Sequence, residues 1–149
     1  MNKIIELCTE LAPKLNEYRG EWQVGDDFKS IHSYAYMTVL DIRPSRFRPD
    51  LKGNDQLLGD EWWDSEDCIW IPREIDRQDR DRIARGEKPR GLWRMVDWNF
   101  VTHVDFTEEG DLNIGKWDYG VEDWVWSTGY CDPTEALLLA LQAQWEVKP

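Results

Sequence analysis

Histidine, cysteine and positive charge are all scarce in this chain. Histidine occurs only at His32 and His103, and cysteine only at Cys8, Cys68 and Cys131. There is no Cys-x-x-Cys and no His-Glu-x-x-His, so no zinc-ligand spacing is present. Three distant thiols, odd in number, do not make a disulfide framework and fit a reduced compartment. Cys131 with His103 is the one thiolate pair that can be imagined, and a turn cysteine and a strand histidine more simply serve structure. The chain lacks a Gly-x-Ser-x-Gly elbow and a phosphate-cradling glycine loop. Asp118 to Asp123 lacks the ligand spacing of a calcium loop. We therefore assign no catalytic residue, no metal ligand and no cofactor from the sequence.

Lysine and arginine number 18 against 30 acids, a formal net charge of −12. Neutralising phosphates requires a basic face, so direct nucleic-acid binding is not expected. An anionic membrane surface is disfavoured for the same reason. No apolar run approaches the length of a membrane span. The first residues, Met1 to Glu6, lack the apolar run and cleavage site of a secretory leader, and with the thiols this gives a cytoplasmic expectation. What the charge leaves open is solubility, or attraction to a basic partner.

Tryptophan is abundant instead, with ten in 149 residues. Each large aromatic buries roughly 150–250 Å², so an indole-rich core can hold with few aliphatic residues. Three tryptophans and five carboxylates share Gly59 to Pro72. Such a stretch must run along the boundary between core and solvent. It reads as a loop entering a short buried strand, Cys68 to Ile71, which Pro72 ends.

Residues 2 to about 18 read as an amphipathic helix with Ile4, Leu7, Cys8, Leu11 and Leu15 on one face. Pro13 either kinks it or restarts it as a first-turn residue, and Gly20 stops it. Glu21 to Gly25 reads as a short strand and Asp26-Asp27 as a turn. Ser33 to Ile42 reads as the clearest strand, with Tyr34, Tyr36, Thr38, Leu40 and Ile42 sharing a face. Residues 43–59 read as a long irregular connection, either functional or mobile, made locally positive by Arg43, Arg46, Arg48 and Lys52. Arg73 to Gly86 reads as a surface helix braced by Asp76–Arg80 and Asp81–Arg85 pairs. Arg73 to Arg94 carries eight basic and five acidic residues, +3 in a chain of −12. Leu92 to Thr128 reads as a β-meander, its strands over 98–106, 111–117 and 121–127, with Trp124 and Trp126 on one side of the last. Asp132-Pro133-Thr134-Glu135 is a helix start resembling a capping box. The helix after it, from Ala136 to Trp145, has an uncharged outer side and is expected to be covered more than one stripe wide.

The fold class these elements give is α+β. The chain is read as one domain, 1–149, in which an antiparallel sheet from 33–42, 68–71 and 98–127 carries the first and last helices. The candidate binding residues are Asp60, Glu61, Trp62, Trp63, Asp64, Glu66 and Asp67. Paired carboxylates among them are also the only visible basis for a metal-dependent hydrolase. Rows of carboxylates at phosphate-like spacing, drawn from 60–67 and 105–123, are the basis for a DNA-mimicking decoy. Trp62, Trp63, Trp117, Trp124 and Trp126 are the residues from which a stacking platform for sugars or bases could be built, although alternate strand positions favour core. The reading adopted is a non-enzymatic accessory protein that binds a basic protein partner through an acidic surface.

The layout resembles small phage and prophage proteins, the phage α–β–α sandwich family among them. The carrying residues are Leu7 to Trp22, Cys68-Ile69-Trp70-Ile71-Pro72, Trp117 to Trp126, and Asp132 to Leu138. The middle of this chain is longer than in that pattern. The resemblance implies a small sheet with helices packed on it, and it transfers no catalytic residues.

Overall fold

The computed structural model describes residues 2–147. It is α+β, with helices at both ends and antiparallel strands between them. The strands divide among three three-stranded sheets, where the sequence suggested one. The described chain separates into two compact units, residues 8–72 and residues 2–7 with 73–147.

The N-terminal helix breaks where Pro13 requires it. Helix α1 (Lys3–Glu10) ends before Leu11, and α2 (Ala12–Arg19) starts with Pro13 in its first turn. A proline there sacrifices no helical hydrogen bond. Gly20, at φ +63°, stops α2.

In the first unit, β1 (Asp27–Ser30) lies between β2 (Met37–Thr38) and β6 (Cys68–Trp70). A second sheet, β3 (Asp41–Arg43), β4 (Asp50–Asp55) and β5 (Gly59–Asp64), is a meander in chain order. The backbone changes sheet between two residues: Val39 N–H donates to Asp26 O, and Leu40 N–H donates to Lys52 O, both at 2.8 Å. Phe28, Met37, Val39, Leu51 and Trp63 form the core, with Trp22, Ile42 and Cys68 packed against it. Gly53 is required there, because a Cβ would lie 2.7 Å from Phe28 Cζ.

Four expectations are corrected in this unit, the first being the loop expected over 59–67, which is β5 through Asp64 followed by a 3-10 turn. The strand expected over 33–42 is a turn followed by two short strands. Ser33 N–H donates to Ser30 O, and its hydroxyl donates to Asp55 at 2.9 Å. Tyr34 is 94% exposed, and the buried residues are Met37 and Val39, on the opposite parity. The tyrosine alternation reflected side-chain preference, which sheet context overrides. The connection expected over 43–59 contains β4 and the start of β5; Lys52, Gly53 and Asn54 masked an alternation of buried Leu51, Gly53 and Asp55. The strand expected at 21–25 lies instead at Asp27–Ser30.

In the second unit, a short helix α3 (Asp79–Ala84) is followed by α4 (Leu92–Met95). Arg82 pairs with Asp76 and Asp79, and Arg85 with Glu87, in place of the pairs expected from helical spacing. The helix begins only at Asp79, so Asp76 sits in the turn before it. A meander follows: β7 (His103–Phe106), β8 (Leu112–Asp118) and β9 (Asp123–Ser127). Trp98–Phe100, expected in the first strand, is a 3-10 turn capped by the Asp97 carboxylate on Asn99 N–H. Helix α5 (Pro133–Val147) opens with Asp132 accepting from Thr134 N–H at 2.9 Å. It buries Ala136, Leu137, Leu138, Ala140 and Leu141, the broad covering its uncharged side implied. Leu112 and Ile114 of β8, also fully buried, face it.

Candidate functional site

Strand alternation decides the fate of the acidic, tryptophan-bearing stretch. In β5, Trp63 sits opposite Leu51 and points into the core, 9% exposed. Its indole N–H has no hydrogen-bond partner among the described residues. Trp63 is thus removed from the candidate surface. Trp62, one residue earlier, faces outward opposite Lys52. The Arg43 guanidinium lies 4.3 Å from its ring centre and the Lys52 ammonium 5.9 Å. That indole already holds cations from its own sheet, each such contact contributing roughly 0.5–1 kcal/mol when exposed.

The acids of this stretch are also engaged internally. Asp60 accepts from Asn54 at 2.6 Å. Asp64 accepts from Arg48 Nε at 2.7 Å and caps the following 3-10 turn through Glu66 N–H. Glu66 pairs with the same guanidinium. Asp67 lies 3.2 Å from His32 Nε2. Glu61 is exposed and has no ion pair among the described residues. The hydrogen bond from Arg48, with help from Glu66 N–H, holds the Asp64 carboxyl below the usual carboxylate range. A general acid needs the reverse shift. Among the described residues, no group of three or more His, Cys, Asp or Glu side chains could hold a metal ion.

Arg48 also lines a groove of about 660 Å³ beside this stretch, with Arg19, Trp22, Ile42, Glu66 and Cys68. The Arg19 guanidinium lies 4.0 Å over the Trp22 ring. The Cys68 thiol donates to Asp64 O at 3.3 Å. Burial, with Asp67 and Asp64 nearby, pushes that thiol up to about 12, so it is protonated at neutral pH and a poor nucleophile. Of the groove's arginines, Arg48 was read from the sequence only as one of the residues that make 43–59 locally positive, and Arg19 was not singled out. The signal for Arg48 was there: a basic run over 43–52 precedes the acids of 60–67, and Arg48 pairs with Asp64 and Glu66.

The second acidic segment behaves differently. Asp105, Glu108, Glu109, Asp111, Asp118, Glu122 and Asp123 surround one lysine, Lys116. None of the seven forms an ion pair among the described residues. Glu108, Glu109 and Asp111 lie at one end of β8 and Asp118, Glu122 and Asp123 at the other. Six residue steps at about 3.4 Å separate these ends by roughly 20 Å.

Between them lies an aromatic face. The register pairs Lys116 with Trp126 but Trp117 with Trp124, so Val125 is an extra residue on β9. This bulge puts the two tryptophans on opposite faces, where a regular strand would put them on one. Trp126 stacks on Phe100 at 5.4 Å, on the side of Lys116, whose ammonium is 4.9 Å from the Phe100 ring. Trp124 lies on the other face, edge-on to Trp117 at 5.1 Å and to His103 at 5.0 Å. It rests on Gly115, where a Cβ would come within 2.6 Å of Trp124 Cζ3. Trp124 remains 38% exposed.

No helix among the described residues is long and apolar enough to cross a membrane. The chain matches no protein-family model, no curated protein and no solved structure.

Proposed function

We propose that this is a non-enzymatic binding protein whose acidic surface takes a basic protein partner. One observation carries the reading: seven carboxylates on the β7–β9 hairpins have no ion pair among the described residues, Asp105 accepting from the Tyr130 hydroxyl and Asp118 and Asp123 from neighbouring backbone N–H groups, whereas Asp64 and Glu66 pair with Arg48 and Asp67 with His32. Unpaired acids raise a negative potential that speeds encounter with a positive surface. The contact is therefore centred on 105–123, in the second unit. A cytoplasmic accessory role of phage or prophage origin rests on the layout described above and on the reduced thiols. It needs no cofactor.

Imitation of a DNA backbone requires a row of carboxylates, and the hairpin acids form two groups at opposite ends of a strand. A metal-dependent hydrolase requires carboxylates that converge on one ion, and among the described residues no group of three or more His, Cys, Asp or Glu side chains does so. Neither rival has an observation in its favour.

The test is affinity capture on the immobilised protein with salt elution. The partner should be basic and should leave as salt approaches about 0.5 M, where screening reaches only a few ångströms. Converting Asp105, Asp111, Asp118 and Asp123 to asparagine should abolish capture. Converting Asp60, Asp64 and Asp67 should not. Capture of the same partner by the first variant would defeat the reading.

A further inference from the structure

We propose that the Trp117–Trp124 pair is a seat for an arginine or lysine side chain of the partner. This rests on the basic-partner reading above and names where the partner is gripped. The face consists of His103, Asp105, Asn113, Gly115, Trp117 and Trp124, which the antiparallel register places on one side of the β7–β9 sheet. Gly115 lets the Trp124 ring lie against the strand, and Trp124 remains 38% exposed. Glycine beneath an indole on a sheet face exposes a flat π-surface at little conformational cost.

The occupant follows from charge. Trp22 and Trp62, in the other unit, each carry a cation of their own: Arg19 over the first, Arg43 and Lys52 over the second. Trp117 and Trp124 have no cation over them among the described residues. The segment's single lysine, Lys116, projects to the opposite face, onto Phe100. Asp105 lies on the same face as the pair, its carboxylate accepting from the Tyr130 hydroxyl, while Asp118 and Asp123, paired across the strand ends, alternate to the other face and Glu122 lies in the turn between them. A guanidinium over Trp124 would meet a π-face inside the negative potential of a segment with seven acids and one lysine, whereas a neutral sugar or a phosphate-bearing base would gain nothing from that potential.

The probe is a short peptide of alternating arginine and glycine, titrated calorimetrically into the full chain at low salt. Its counterpart has citrulline, equal in shape and uncharged, at each arginine. The arginine peptide should bind at least about tenfold more tightly than the citrulline peptide. Trp124→Ala should weaken it roughly two- to thirtyfold, the range spanned by exposed and desolvated cation–π contacts. Trp124→Phe should retain most of the affinity, and Trp62→Ala should leave it unchanged. If Trp124→Ala does not fold, as read by near-ultraviolet circular dichroism, the phenylalanine variant and the citrulline peptide still decide. Undiminished binding by Trp124→Ala, with loss in the asparagine variants, would overturn the seat and leave the acidic surface standing. Equal binding of the citrulline peptide would also overturn it. Failure of the parent protein to bind the arginine peptide would overturn both.

Discussion

Asp79 accepts the backbone N–H of Arg90 at 2.6 Å and of Gly91 at 2.8 Å, and it is 1% exposed. The Arg82 guanidinium, itself nearly buried, completes the arrangement at 3.5 Å. One carboxylate thus pins the return of the chain after α3. Gly91 makes room for it, since a Cβ there would lie 2.5 Å from Asp76 N and 2.8 Å from the Asp79 carboxylate. Asp79→Ala would leave two buried N–H groups and a buried guanidinium short of an acceptor. Such a loss costs roughly 3–5 kcal/mol, against at most about 1 kcal/mol for an exposed pair. Urea denaturation of Asp79→Ala should show that drop, with Asp81→Ala, an exposed neighbour, as the near-neutral control. The sequence did not reveal this role. Asp79 lies in a run of alternating charges that reads as a solvated helix, and its partners are backbone atoms eleven and twelve residues away, which no side-chain pattern marks.

At the scale of elements, the β8–β9 pair depends on a glycine and a bulge. A methyl group at position 115 would meet Trp124 Cζ3 at 2.6 Å, Cε3 at 2.9 Å and the Trp126 carbonyl at 3.1 Å. The ring can swing away but the carbonyl cannot move freely. Gly115→Ala should therefore cost about 1–3 kcal/mol by overpacking and should lift Trp124 off the strand. Denaturant unfolding would register the first effect, and a red shift of tryptophan emission the second. Position 115 in an alternating strand was legible as strand, yet the reason for glycine was not. It becomes visible only when the bulge at Val125 moves Trp124 over it. The elements legible in the sequence were those with local signals: Pro13 restarting a helix, Asp132-Pro133 opening α5, Pro72 closing β6, and the two β7–β9 turns. Those that escaped depend on partners remote in sequence. β4 owes its identity to pairing with β3 and β5, and its own letters, Asp-Leu-Lys-Gly-Asn-Asp, read as part of an irregular connection. The candidate site split the same way. Read as a loop, the stretch kept Trp62 and Trp63 together; only the pairing of β5 with β4 separates them onto two faces, and the arginine and lysine that cover Trp62 come from two other strands.

For the molecule as a whole, a charge of −12 and a set of anchored carboxylates pull stability in opposite directions as pH falls. Protonation relieves repulsion among the acids, a diffuse effect that salt already screens. It also dismantles specific bonds. Asp55 is held below the usual carboxylate range by Leu57 N–H, with Ser33 and Leu58 N–H adding to the effect. Asp64 and Glu87 are lowered chiefly by hydrogen bonds from Arg48 and Arg85. Asp76 is lowered on balance, desolvation opposing the bond from Arg82 and losing to it with its neighbours. In the unfolded chain these groups titrate near 4. Between that value and their lower folded values, the unfolded chain binds protons that the folded chain refuses. Their contribution is therefore complete above about pH 5 and is lost as pH falls through the folded values. The local bonds should outweigh the relief of repulsion, because Asp55 anchors a β-turn and Asp64 a 3-10 turn and an ion pair at once. Thermal melts at fixed ionic strength should be flat from pH 8 to about pH 5 and fall steeply below about pH 4. Asp55→Asn should be less stable at neutral pH and should show a shallower acid limb, since one of the groups that titrates there is gone. A melting temperature that rises on acidification through that window would mean that repulsion, not anchoring, governs this fold.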